Sequence, residues 1–143
     1  NLFVHAGLSA RLLERNLEMD TLNARMSEGL YRTSKERRED PTLEFLYRSA
    51  GPVWYRGMVC TDEKYDPLTP EQTDALLRRY DADRLLIGHT IFPDISTFHD
   101  GRVIAVNVQN ERNRRKNRGR AVLIEGSRIS VVGNRGVKRV LEE

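Results

Sequence analysis

The stretch LLIGHTIFPD, Leu85–Asp94, decides the fold. Its apolar run stops on Gly88-His89-Thr90, and a proline, Pro93, follows shortly after. The chain opens on the same pattern: in LFVHAGLS, Leu2–Val4 gives way to His5, Ala6 and Gly7. Short apolar runs that end on glycine and polar residues read as buried strands. The carboxyl ends of such strands are where open α/β sheets bind ligands. The chain has three histidines, and two of them stand at such ends.

Between the two runs, LTPEQTDALLRRYDAD carries a complete helix-start signal. Thr69 is an N-cap, Pro70 suits the first helical position, and Gln72 has the capping-box spacing. Ala75, Leu76 and Tyr80 would face a core, and the helix feeds a strand over Arg84–Ile87. This strand–helix–strand order predicts an α/β arrangement with parallel pairing. Upstream, SARLLERNLEMDTLNARMSEGLY places Leu13, Leu17, Met26 and Leu30 at near-helical spacing, so it reads as one amphipathic helix or a broken pair. RTSKERREDP (Arg32–Pro41) reads as a surface loop. TLEFLYRSAG reads as a short helix capped by Thr42 and ending at Gly51. GPVWYRGM follows, a glycine-flanked segment with an exposed aromatic pair, Trp54 and Tyr55, beside Arg56.

After Ile95 the texture becomes that of an antiparallel run. STFHDGRVIAVNV predicts two strands about His99-Asp100-Gly101, RAVLIEGSRISVV repeats the pattern about Gly126-Ser127, and GNRG makes a third turn. The last third therefore adds hairpins to an α/β front, giving an α/β (α+β) fold in one domain over 1–143.

Composition narrows the function classes. With 143 residues, 38% of them apolar, the chain can bury a core. No apolar run approaches the roughly 20 residues that span a bilayer. One cysteine, Cys60, excludes an intrachain disulfide and a multi-cysteine zinc site. The net charge is a mild +3, concentrated in RNRRKNRGR, Arg112–Arg120. That stretch reads as a solvated loop between strands. It has no interleaved aromatics for base stacking, but it is the basis of an alternative reading, a non-catalytic module that binds nucleic acid or another polyanion. Asn1 is not a start methionine and Leu2 already lies in a strand, so the chain reads as the back part of a longer polypeptide. A targeting signal upstream would lie outside this sequence, and the default compartment is the cytoplasm.

Imidazole is a common metal ligand, and a strand end followed by a tight loop holds it fixed. Taken singly, His5 and His89 each read as loop or core histidines; together they point to a shared site. Arg56 could present its guanidinium fork to a phosphate or carboxylate, or stack on Trp54. His99, in a hairpin turn, reads as structural.

Three segments in order carry a resemblance. LFVHAGLS, GPVWYRG and LLIGHTIFP followed by STFHDGRVIAVNV resemble the second half of a calcineurin-like metallophosphoesterase of the phosphoprotein phosphatase type. The closing RAVLIEGSRISVVGNRGVKRVLEE is similar to the last hairpins of the Shewanella-like bacterial protein phosphatases. The resemblance implies a metallophosphatase-like β-sandwich with flanking helices, of which this chain is the C-terminal portion. It also implies metal-dependent phosphoester hydrolysis at a binuclear centre of manganese, iron or zinc. His5 and His89 would be ligands of one metal, and Arg56 would hold the substrate phosphate. Substrates would be phosphorylated proteins, on serine, threonine or tyrosine, or small phosphoesters such as dinucleoside polyphosphates. The family's Gly-Asp-x-His-Gly, Gly-Asp-x-x-Asp-Arg-Gly and Gly-Asn-His-Glu motifs are absent here, as is the Asp-x-Gly that relatives carry where this chain has VNVQN. The missing N-terminal half would supply the bridging aspartate, the ligands of the other metal and the histidine that assists the leaving group. This segment alone is therefore expected to hold no catalytic residue and to be inactive.

Overall fold

Alternation along the central strands sets the architecture, because successive side chains of a strand point to opposite faces. The computed structural model describes residues 1–142. In chain order the elements are β1 (Leu2–Val4), α1 (Arg11–Glu14), α2 (Met19–Leu30), α3 (Ser34–Glu39), α4 (Pro41–Tyr47), a 3-10 turn (Glu63–Tyr65), α5 (Pro70–Arg79), β2 (Leu85–Ile87), β3 (Ser96–Phe98), β4 (Val103–Ala105), α6 (Asn110–Arg115), β5 (Arg120–Glu125), β6 (Arg128–Gly133) and β7 (Gly136–Glu142). Among the described residues this is a mixed α/β fold of two sheets and six α-helices.

The first sheet has the order β1-β2-β4-β3. β1 and β2 run parallel with Leu2 opposite Leu85 and Val4 opposite Ile87. β2 and β4 are also parallel, while β3 closes antiparallel on β4. Leu85, Ile87, Val103 and Ala105 point to one face, where they join Leu12, Leu46, Met58 and Leu76 from the helical side. Leu86 and Ile104 point to the other, against Ile129 and Val131 of the second, antiparallel sheet β5-β6-β7. Burial on both faces explains why β2 reads as a continuous apolar run rather than an alternating one. Each such leucine or isoleucine contributes roughly 1.5–3 kcal/mol through its removal from water.

The helix at α5 forms as expected: Thr69 and Gln72 complete a capping box and Pro70 occupies the first turn. Leu76 is buried as expected, while Leu77 and Thr73 are buried in addition and Ala75 and Tyr80 only in part. Elsewhere the expectations need correction. Arg32–Pro41 is not a loop, because Thr33 and Glu36 form a second capping box that starts α3. Asp40, not Thr42, caps α4, accepting from the backbone N–H of Thr42 and Leu43 at 2.9 and 3.0 Å. That helix stops at Tyr47, and Gly51 lies in the following turn, where a Cβ would meet the carbonyl of Leu46 at 2.2 Å. The upstream amphipathic stretch is the broken pair α1 and α2. Leu30, expected inside, is 68% exposed. The basic stretch is not wholly a loop either: it begins in α6, and Arg120 already belongs to β5. The three hairpin turns are as expected, with His99, Asp100 and Gly101 all at positive φ in the first.

Candidate active site at the parallel strand ends

Parallel pairing of β1 with β2 sets His5 beside Gly88, whose N–H donates to the His5 carbonyl at 3.0 Å. A Cβ on residue 88 would stand 3.1 Å from that same oxygen, so glycine permits the close approach. Directly afterwards the chain reverses: His89 takes φ 56° and the Thr90 N–H donates to the Gly88 carbonyl at 2.6 Å. The reversal turns the His89 ring back onto His5. His5 Nε2 and His89 Nδ1 are 3.0 Å apart, bringing together residues 84 positions apart in sequence. Their rings meet edge-on with centroids 4.9 Å apart.

The segment carrying Arg56 is pinned to both strand ends. The Ala6 N–H donates to the Pro52 carbonyl at 2.9 Å, and the Ser9 hydroxyl donates to the Ala50 carbonyl at 2.7 Å. Gly7 packs so closely that a Cβ there would lie 3.1 Å from the Tyr55 carbonyl. From the far side, His99 Nε2 lies 3.0 Å from the Met58 carbonyl and its Nδ1 3.3 Å from the Thr73 hydroxyl. His99 thus ties the segment to α5, in keeping with a structural role. The aromatic pair is split, which corrects the expectation that both rings are exposed. Trp54 is 53% exposed and stands edge-on to His89 at 5.3 Å, whereas Tyr55 is buried and its hydroxyl donates to the Asp66 carbonyl at 2.5 Å.

Arg56 then reaches Thr90, its Nη1 donating to the threonine Oγ1 at 3.1 Å. Among the described residues no carboxylate pairs with this half-buried guanidinium. Burial, then the Arg56 cation, then His5 hold the His89 imidazole below the usual histidine range, which favours the neutral ring with a free lone pair. His89 Nε2 is buried with no hydrogen-bond partner. The structure so brings all three sequence candidates, His5, Arg56 and His89, into one cluster. Thr90 was missed, although it directly follows the Gly-His pair, and so was the ring contact of Trp54 with His89.

No protein-family model matches the chain, and no curated protein does. Solved structures do. The chain is similar to the cold-active protein-tyrosine phosphatase of a psychrophile Shewanella sp., with 25% identity and a TM-score of 0.83 over 97% of this chain and 40% of that one. A point mutant of a cold-active protein tyrosine phosphatase matches equally well. A 1.1 Å structure of a cold-active protein tyrosine phosphatase gives 25% identity and a TM-score of 0.83 over 96% of this chain and 38% of that one. The fold is thus similar to part of a phosphatase, and this chain spans about 40% of the length of those proteins. Among the described residues no helix is long and apolar enough to cross a membrane.

Proposed function

We propose that this chain forms part of the phosphate-handling site of a phosphoester hydrolase, with Arg56 binding the phosphoryl group and His5 and His89 binding one divalent metal ion. The observation that carries the reading is the convergence of two imidazoles and an acid-free guanidinium at the carboxyl ends of parallel strands. The phosphatase likeness supports the reaction class.

The donor set fits a metal in part. Two imidazole nitrogens about 2.1 Å from one tetrahedral ion stand about 3.4 Å from each other, and His5 Nε2 and His89 Nδ1, here sharing a hydrogen bond at 3.0 Å, lie close to that separation. The depressed basicity of His89 suits a neutral ligand. A catalytic site of this kind takes three or more protein ligands. Among the described residues no group of three or more His, Cys, Asp or Glu side chains is placed to hold an ion. On this reading the chain is the C-terminal portion of a single metallophosphoesterase domain of the calcineurin-like type, with the sandwich architecture of that family. The remaining ligands come from an N-terminal half. Manganese, iron or zinc would suit imidazole and carboxylate donors.

Held by His5, His89 and further ligands from outside this chain, such ions would supply activation of water and neutralisation of charge at the phosphoryl group. This chain's residues do the positioning. Arg56 offers its fork to two phosphoryl oxygens, and Thr90 fixes the orientation of that fork. Trp54 backs the His89 ring and limits its rotation. Cys60 packs against the main apolar cluster, so it serves the core rather than attack on phosphorus. Substrates on this reading are phosphorylated proteins or small phosphoesters.

Phosphorus-31 NMR of inorganic phosphate titrated into the chain tests the anion site. The expected result is line broadening that disappears in Arg56→Ala and is weakened in Thr90→Ala, with no turnover of p-nitrophenyl phosphate by the chain alone. Phosphate binding that survives Arg56→Ala would contradict the reading.

A further inference from the structure

A groove opens one residue beyond Thr90. Ile91, Asn107, Val108, Gln109, Glu111 and Arg112 line about 430 Å³ of open space there. Ile91 is 60% exposed, although Val108 beside it is buried. One wall is α6, the start of a strongly basic stretch: Glu111–Arg120 holds six Lys or Arg residues and one acid. Glu111, the single acid, is engaged by Arg115, and Arg120 is engaged by Asp94. Arg112 reaches only the Gln109 side-chain oxygen at 3.4 Å. Among the described residues no carboxylate pairs with Arg112, Arg114, Lys116 or Arg118.

We propose that this groove selects acidic polypeptide segments flanking a phosphorylated residue. The inference rests on the phosphate-binding reading of Arg56. With the phosphoryl group on Arg56 and Thr90, the adjoining peptide runs over Ile91, whose exposed side chain supplies an apolar contact. The side-chain amides of Asn107 and Gln109 can bond a peptide backbone. Acidic side chains then meet Arg112 and the other unpaired cations of the stretch. None of the six lining residues is aromatic, which removes the stacking platform that single-stranded nucleic acid uses.

Fluorescence anisotropy with the full chain separates the outcomes. Three labelled phosphotyrosine peptides of equal length carry glutamate, alanine or lysine on both flanks. At low salt the glutamate peptide binds about tenfold tighter than the alanine peptide, the effect of two or three partly screened ion pairs, and the advantage shrinks with added salt. Arg112→Gln, checked for folding by circular dichroism and accompanied by Arg112→Glu, lowers affinity for the glutamate peptide about threefold and for the alanine peptide by less, so the preference shrinks. Equal affinity for all three peptides, lost on Arg56→Ala, overturns the groove proposal and leaves the phosphate site standing. Absence of binding by any phosphopeptide overturns both. An RNA oligonucleotide that binds more tightly than every peptide, sensitive to Arg112→Glu and not to Arg56→Ala, overturns the peptide assignment in favour of nucleic acid.

Discussion

His89 combines three features that rarely coincide. It sits at φ 56°, its ring is partly withdrawn from water, and it faces a cation and a second imidazole. A left-handed backbone is tolerated best by glycine and, among the rest, by asparagine, aspartate and histidine. The position is therefore testable by His89→Asn, which keeps that tolerance. Because the folded-state basicity of His89 is depressed, the unfolded chain takes up a proton first as pH falls below about 6.5. The folded state loses stability through that window and recovers it as pH rises. Thermal melts in a chelating buffer between about pH 5 and 7.5 should fall less steeply for His89→Asn than for the parent chain. Parallel curves would show that His89 is not the group responsible. At this scale the sequence was partly readable: His5 and His89 stood out because each follows an apolar run and adjoins small residues. Thr90 did not, since its meaning depends on Arg56 arriving from a segment 34 residues away.

Among the elements, legibility followed the agreement of independent signals. In α5 the cap, the proline and an apolar stripe coincide, so the helix is legible in the sequence alone. In α3 the capping box is as complete, yet the helix buries no residue. Without a stripe, a charged segment looks like a loop. In α4 two cap candidates compete within three residues, and Asp40 prevails because it bonds two N–H groups while also pairing with Arg25. These differences give unequal costs. Thr69→Ala should destabilise the fold by about 1 kcal/mol, because α5 anchors Leu76 in the core, and denaturant titration would report it. Thr33→Ala removes an equivalent cap from a helix that buries no residue and is held by Arg37 on Tyr47 and the Gly29 carbonyl, so the unfolding midpoint should move less. Equal losses from both substitutions would contradict this assignment of roles.

The whole molecule presents an asymmetric sheet. β2 and β4 are covered on both faces, whereas β1 pairs with β2 on one side and lies at the edge of the sheet. Phe3, in the middle of that edge strand, is 72% exposed. Unpaired edges with exposed apolar side chains template association. Light scattering should accordingly find concentration-dependent self-association of this chain, reduced by Phe3→Lys. A strictly monomeric parent chain would refute the point. The sheet order itself was only half legible: strand–helix–strand alternation implied parallel pairing, but β4 lies beside β2 although β3 precedes it in sequence. That order arises because the hairpin joins the sheet through its second strand, β4, which runs parallel to β2 and leaves β3 at the edge.

The central claim is that His5 and His89, remote in sequence, act together on one divalent ion. Paramagnetic broadening by Mn²⁺ in the imidazole region of a proton–nitrogen NMR spectrum tests it most directly, with His99 as an internal reference. The account predicts that substoichiometric Mn²⁺ broadens the His5 and His89 signals together and spares His99, and that His89→Asn removes the effect at His5. Broadening at His99 instead, or at His5 alone and unchanged in the variant, would contradict it.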